Sequence, residues 1–468
     1  MTRPRYEADY VVVGAGTVGL AFSDVVLAES DRSVIIVDRQ ARPGGHWNHA
    51  YPFVRLHQPS SFYGVASRQL GRNAIDTSGK NAGFYGLATA AEVLSYYEGL
   101  LREQFLPSGR VTYLPRHEFR EDGTAASLMS NEVVEVRASR KVVDARYLGS
   151  VVPAMREHRP SFEVARAARL ATPNDLADID EPYAGYVVIG AGKTSADVCL
   201  WLLDNGVEPD QITWVRPRDS WFYNRAVVQP GARFARDTIG GYAAMLEAAA
   251  KATSADELAG LYEEAGVFLR IDPRQWPTFY RGATMAPSEI VALRAIDDVV
   301  RLGYVTRIDD GAIELARGRR ELRRGVLHVD CTAEGLRRRP PVPFFTPGAA
   351  TLQYAVNGGQ VAYSAALAGI VELAFDDDDE KNAHLVPAPI TSELGDLARN
   401  FLIEIQNQAA WSQVPRIQQW IDHCRLNPAM EALSTMDSGD EALIEATTRV
   451  LVGIEPAREN LTRLVSEL

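Results

Sequence analysis

Apolar residues in this chain recur in one distinctive arrangement. A short unbroken apolar run ends in glycines, and an apolar segment of helical length follows at once. Residues 9–13 are such a run, Gly14-Ala15-Gly16-Thr17-Val18-Gly19 is the turn, and residues 20–28 are the helix. A second strand over 34–37 ends in Asp38. Continuous Val/Ile runs belong to strands covered on both faces, so they predict a parallel sheet with helical crossovers. The arrangement returns at residues 186–189, with the turn Gly190-Ala191-Gly192-Lys193-Thr194-Ser195, a helix over 198–204 and a strand over 212–215. The chain is therefore expected to be α/β, with two Rossmann-like, doubly wound and mostly parallel units.

The remaining pattern fills in around these units. A helix is expected over 90–106. Alternating short strands over 111–114, 132–137 and 141–145, with turns at Asp122-Gly123 and Ser130-Asn131, predict a small antiparallel meander. Residues 151–182 read as a linker. Helices are expected over 241–253, 255–265 and 287–302, a hairpin around Asp309-Asp310-Gly311, and a strand over 325–333. A Gly358-Gly359 turn precedes a helix over 361–373, and the acidic run 376–380 reads as a solvated loop. The domains expected are 1–178 with 304–374 as one discontinuous unit, 179–303 as a second with a helical insertion, and 375–468 as a helical C-terminal region. The amphipathic tail reads as a covering domain or the surface of a homodimer.

Composition narrows the class. Of 468 residues, 46% are hydrophobic and 24% charged, as in an ordinary globular enzyme. A net charge of −12 argues against a general nucleic-acid or anionic-membrane surface. The three cysteines, Cys199, Cys331 and Cys424, lie far apart, so a disulfide framework, a zinc cluster and a dithiol redox pair all lack their spacing. No metal site is expected. No apolar run approaches the roughly 20 residues that span a bilayer, and the expected location is cytoplasmic.

The turns carry the chemistry. Gly14 permits a tight turn, Gly16 lets a pyrophosphate approach the backbone, and Gly19 lets helix and strand pack. Asp38, followed by Arg39, stands where an acid meets ribose hydroxyls. In the second unit the corresponding strand ends in Arg216-Pro217-Arg218, and arginines there accommodate the 2′-phosphate of NADP. Gly190, Gly192, Lys193, Thr194 and Ser195 form its phosphate turn. Gly192-Lys193-Thr194 is not a Walker loop, because Val187 stands where that motif needs glycine.

Next to the first unit lies Gly44-Gly45-His46-Trp47, and then an aromatic, proline-rich stretch from Tyr51 to Gly64. It reads as a loop lining a ligand or as an ordered structural loop. His57 reads either as an acid–base group or as a structural hydrogen-bonding residue. The segment 271–281 reads equally as pocket lining or as packing between helices. Loops near 46–64, 221–228 and 271–284 are the expected walls of a substrate pocket.

These motifs resemble those of the class B flavin monooxygenases, two-dinucleotide enzymes that include flavin-containing monooxygenases, Baeyer–Villiger monooxygenases and N-hydroxylases. The residues that carry the resemblance are Gly14, Gly16, Gly19 and Asp38, then Gly44-Gly45-His46-Trp47, the segment from Arg55 to Tyr63, and Gly190, Gly192, Ser195 and Arg216. It spans roughly residues 8–370. Two family features differ: no Phe-x-Gly-x-x-x-His segment precedes the second turn, and His57 stands where the family has aspartate. The resemblance implies FAD in the first unit and NADPH in the second. It implies that NADPH reduces the flavin and that dioxygen then forms a C4a-peroxyflavin, which passes one oxygen atom to a small organic substrate. Trp47, His57 and Gln58 are the implied catalytic residues at the flavin, joined by Ser60. Two competing readings are an NADPH-dependent flavin dehydrogenase or reductase without oxygen insertion, and a non-catalytic FAD/NADP-binding sensor.

Overall fold

The computed structural model describes residues 4–155, 158–356, 360–390, 393–427 and 440–468. Its first sheet has the order Phe345–Thr346, Ala349–Thr351, Val133–Asp144, Arg5–Val13, Val34–Asp38, Val111–Pro115. Neighbours run parallel except in the outermost hairpin. The central strand is buried from Tyr10 to Val13 because helices cover the face of Tyr10 and Val12, and Ala125, Val134 and Val136 of antiparallel strands cover the face of Val11 and Val13. Helix Thr17–Glu29 lies against helix Val361–Ala374, and the approach is close enough that a β-carbon on Gly369 would sit 2.9 Å from Val25 Cβ.

Two expectations for this unit change. Val111–Pro115 joins the main sheet, parallel to Val34–Asp38, rather than the meander. The helix Ala90–Leu100 ahead of it supplies the crossover that a parallel neighbour needs. The meander that forms is His117–Phe119, Thr124–Ser127 and Val133–Asp144. Its last strand is one continuous element of 12 residues where two short ones were expected. Arg137 and Ser139 in its middle are exposed, and a register shift opposite Ala8 and Tyr10 absorbs the irregularity.

The second sheet is parallel throughout, in the order Val299–Val300, Ile212–Val215, Tyr186–Ile189, Leu327–Asp330, Arg169–Ala171. This moves the expected domain boundary. Leu327–Asp330, buried along its whole length, pairs with Tyr186–Ile189. The hairpin Val305–Asp309 and Ala312–Leu315 pairs with Glu163–Val164. Residues 304–330 therefore complete the second unit, and 163–171, expected as a linker, contributes two strands to it. The chain returns to the first sheet only at Phe345. The helix expected over 287–302 stops as Pro287–Leu293, and Val299–Val300 forms the sheet edge instead. Asp297 and Asp298, poor helix formers, lie at the break.

A third body packs beside both units. Helices Ala235–Lys251, Ala255–Glu264, Gly395–Ser412 and Glu441–Ser466 share an apolar core with the small sheet of Ser220–Asn224, Phe268–Leu269 and Phe279–Met285. The acidic run is not a solvated loop. It opens helix Asp378–His384, where Asp377 caps the backbone and Asp378 pairs with Lys141 and Lys381. Carboxylates suit a helix N-terminus electrostatically. The Gly358-Gly359 turn lies outside the described residues. Among the described residues, no helix is long and apolar enough to cross a membrane.

Candidate functional site

Three cavities meet where the two sheets and the helical body adjoin. The first lies over the first glycine turn and is lined by Gly14, Gly16, Asp38, Gly45, His46 and Tyr63, among others. Here the sequence places backbone where side chains cannot fit. A β-carbon on Gly19 would run into the Gly14 carbonyl oxygen, and one on Gly45 would lie 3.1 Å from Gly16 Cα. Gly44 N–H donates to Ala15 O at 2.8 Å, so the Gly44-Gly45 pair docks on the turn. Helix Thr17–Glu29 starts at Gly16 without a side-chain cap. Its first N–H groups and positive dipole end face the cavity, which suits an anion.

Asp38 is buried at the strand end and accepts from Ala15 N–H and, at 2.5 Å, from Gln40 N–H. Burial raises its pKa, and those backbone bonds oppose the rise. Arg39 also lines this cavity and reaches Glu118 at 3.5 Å. His46 is held neutral, its pKa lowered to about 4 by burial and then by His49. Trp47 is placed differently from expectation. It is buried, and its indole N–H donates to Tyr63 Oη at 2.7 Å. Tyr63 Oη lies 2.6 Å from Thr17 Oγ1, which accepts from Tyr97 Oη at 2.8 Å. Trp47 thus braces the wall behind the cavity through Tyr63. Thr17 and Tyr97 were not singled out in the sequence, because nothing local marks them as partners.

The second cavity, of about 470 Å³, lies over the second turn and is lined by Gly190, Gly192, Lys193, Thr194 and Arg218. Gly190, at φ +143°, leaves room for the Cys331 carbonyl, which a β-carbon would approach to 2.9 Å. Helix Lys193–Asp204 likewise starts at a glycine without a side-chain cap. Lys193 is tied to Asp197 and, at 3.7 Å, to Glu289. Ser195 is buried and turns its hydroxyl onto Gly192 O at 2.8 Å, within its own turn.

Arg216 does not face this cavity. Only 3% exposed, it pairs with Asp219 and stacks over Trp214. Asp219 also holds Arg301 at 2.9 Å. Burial, and then Arg301, lowers the Arg216 pKa to about 10. The guanidinium groups at the cavity are those of Arg218, Arg281 and Arg338. Desolvation, and then Arg338 and Arg218, draws Arg281 below its ordinary value. Such crowding of like charge favours a bound anion. Arg338 was missed; its signal was the run Arg337-Arg338-Arg339 in an acidic chain.

His57 sits between the units. Its Nδ1 accepts from Thr284 N–H at 3.3 Å, which puts the ring proton on Nε2, and its carbonyl accepts from Thr284 Oγ1 and from Arg225 Nε at 2.8 Å. Burial first, then Lys193 and Arg225, lowers its pKa to about 3. It is neutral near pH 7, and its Nδ1 and carbonyl are both engaged by Thr284. Ser60, also on this loop, fixes it by donating to Gly86 O at 2.8 Å.

The third cavity, about 360 Å³, draws walls from all three loops expected to meet. Gln58 and Phe62 come from one, Tyr223, Val227 and Val228 from another, and Thr284 from the third. Helices of the C-terminal region close it. Arg425 ties that region to the loop by donating to Ser61 O at 2.5 Å and to Tyr63 O at 2.8 Å. The cavities adjoin. Leu336 lines the first and second, Val356 lines the second and third, and Val361 of the first follows Gln360 of the third.

No family model matches the chain. Among solved structures, a flavin-containing monooxygenase from Stenotrophomonas maltophilia covers 88% of this chain and 99% of its own, at 15% identity and a TM-score of 0.41. The OTEMO complex with FAD and NADP covers 78% of this chain and 83% of its own, at 14% identity and a TM-score of 0.48. Ferredoxin–NADP reductase of Salinispora tropica is 36% identical over 94 residues, 20% of this chain and 29% of that protein. Uncharacterized protein Rv2000 of Mycobacterium tuberculosis is 45% identical over 421 residues, 90% of this chain and 78% of the relative. With that identity over most of both chains, this chain belongs to the same protein family as Rv2000.

Proposed function

We propose that this chain is an FAD-dependent oxidoreductase reduced by NADPH, and that it acts as a monooxygenase on a small organic substrate. The observation that carries the reading is the junction of the three cavities at Leu336, Val356 and Gln360-Val361. A site for two dinucleotides and a substrate needs two phosphate cradles and an apolar chamber side by side. The first cradle fits FAD: the glycines leave room for a pyrophosphate, the uncapped helix end faces it, and Asp38, at the end of the next strand, lines the same cavity. The second fits NADPH, with Arg218, Arg281 and Arg338 for its phosphates.

When bound, flavin supplies hydride acceptance and reaction with dioxygen. The chain's own residues bind, orient and keep out water. Trp47, Tyr63, Thr17 and Tyr97 fix the wall behind the first cradle. Thr284 and Arg225 hold the loop that carries His57 and Gln58. Phe62 and Val356 give the junction an apolar surface.

A second reading is a reductase that passes electrons onward without inserting oxygen. The short stretch of similarity to a ferredoxin–NADP reductase favours it. The apolar chamber at the junction favours a small-molecule substrate. The deciding measurement is the visible spectrum of the purified protein before and after anaerobic NADPH. A yellow protein bleached by NADPH supports both readings, and a colourless one overturns both. Labelled dioxygen then separates them: incorporation into an organic product supports the monooxygenase, and oxidation of NADPH with dioxygen reduced only to hydrogen peroxide supports the reductase.

A further inference from the structure

We propose that Tyr354 holds the nicotinamide end of the dinucleotide, its hydroxyl donating to the carboxamide oxygen where the first two cavities share a wall. This rests on the reading of the second cavity as the NADPH site. Tyr354 lies three residues past the strand Ala349–Thr351, and its carbonyl accepts from Ala388 N–H at 2.8 Å. It shares an apolar cluster with Leu148, Leu336, Val361, Ala388 and Ile390. Leu148, Leu336 and Val361 line the first cavity, and Leu336, Ala388 and Ile390 line the second, as Tyr354 does. The partition between the two cradles is thus apolar, and a phenol is set into it.

The residue is 8% exposed. Among the described residues none hydrogen-bonds to its hydroxyl, yet the oxygen keeps accessible surface, so a ligand in the cavity can reach it. Burial first, and then the Tyr280 and Tyr63 hydroxyls, pushes its pKa well above the ordinary phenol range. The hydroxyl therefore stays protonated and is a donor near neutral pH. A hydroxyl buried without a partner is costly, and the large majority of such groups have one. The apolar cluster around it offers none, so the acceptor comes with the ligand. The phosphates of NADPH already have the glycine turn and the cavity arginines. On its reacting end the acceptor is the carboxamide oxygen, and that end must come to the wall shared with the flavin cradle for hydride to cross.

The test measures binding to the full-length protein as purified, by isothermal titration calorimetry at neutral pH. Its probes are NADP⁺, the thionicotinamide analogue of NADP⁺, and adenosine 2′,5′-bisphosphate. Sulfur replaces the carboxamide oxygen in the second, and the third lacks the nicotinamide ring. NADP⁺ is expected to bind more tightly than the thionicotinamide analogue by about threefold to tenfold, the range of one neutral hydrogen bond. Tyr354→Phe closes that gap and leaves the bisphosphate affinity unchanged. Equal binding of NADP⁺ and the analogue by the unmodified protein overturns the proposal without any variant, and so does a gap that survives Tyr354→Phe. An equal loss for the bisphosphate in Tyr354→Phe also overturns it, because the residue then supports the fold and not the ring. Failure of the NADPH reading is distinct: the unmodified protein then binds none of the three probes, and this inference falls with it. Binding of all three without a gap sinks this inference alone.

Discussion

The Tyr51 hydroxyl donates a 2.8 Å hydrogen bond to Asp197 Oδ2, although the two residues belong to different sheet units. Tyr51 sits on the loop beside the first cradle, and Asp197 on the helix that starts at the second. Asp197 also holds Lys193, the first residue of that helix. Phe53 stacks on Trp201 nearby, with ring centroids 4.8 Å apart. One carboxylate thus fixes the lysine of the second turn and the aromatic loop of the first. Tyr51→Phe is expected to cost about 1.5–3 kcal/mol, the range for a hydrogen bond to a charged acceptor. Chemical denaturation of Tyr51→Phe, Asp197→Asn and the double variant checks it. Shared energy makes the double variant less destabilised than the sum of the singles, and strict additivity would mean the bond contributes nothing.

Two neutral histidines give the fold a direction in pH. His57 falls from an ordinary 6.5 to about 3, and His46 to about 4. The unfolded chain takes up both protons near the ordinary value, whereas the folded chain resists until well below it. Their contribution to stability is therefore full above pH 6.5 and is lost as pH falls through the folded values. The slope is at most about 1.4 kcal/mol per pH unit for each ring. Denaturation midpoints at pH 7.5, 6 and 5 are expected to fall for the unmodified protein and to fall less steeply for His57→Gln. Equal slopes would mean that His57 is protonated when folded.

The glycine turns, Asp38 and the Gly44-Gly45 pair were legible in the sequence because each is a local requirement of backbone shape. The convergence of the three loops was legible too, since aromatic and polar residues crowd all three. Leu327–Asp330 was assigned to the wrong sheet because strand order depends on which open edge is filled, and an apolar run carries no address. Arg216 shows a different limit. It stands at the strand end where a phosphate ligand would be sought, but Asp219 and the distant Arg301 draw it into a buried network. The helices that close the third cavity were invisible because helical periodicity in the tail does not say which face meets Gln58 and Phe62.

Arg216 and the cavity arginines are expected to fail differently. Arg216→Ala leaves the buried Asp219 with Arg301 as its remaining partner, so the cost is expected below the about 3–5 kcal/mol of a buried pair broken outright. Its effect belongs in the unfolding curve and touches NADPH and NADH alike. Arg218→Ala and Arg281→Ala are expected to leave the unfolding curve nearly in place. Each raises KM for NADPH by roughly tenfold or more relative to NADH, from one lost charge-assisted bond. Stopped-flow reduction with both nucleotides checks this. A selective loss of NADPH binding in Arg216→Ala would put that residue back at the phosphate.

The two glycine turns predict opposite tolerance at their third position. A methyl at Gly19 meets the Gly14 carbonyl oxygen, and it also lies 3.1 Å from Ala145 Cβ and from Val12 Cγ1. All three neighbours are backbone or short side chains, so the turn must open rather than the neighbours yield. Gly19→Ala is therefore expected to lose the cradle, and with it most of the flavin that copurifies. The corresponding residue of the second turn is already Ser195, whose helix stands far enough off to admit a side chain. Its hydroxyl closes on Gly192 O at 2.8 Å. Ser195→Ala keeps the β-carbon and removes that bond, at a cost of about 1 kcal/mol. Flavin content read from the ratio of visible to ultraviolet absorbance, together with a denaturation curve, separates the two. Full flavin occupancy in Gly19→Ala would mean that the first turn is not the phosphate cradle.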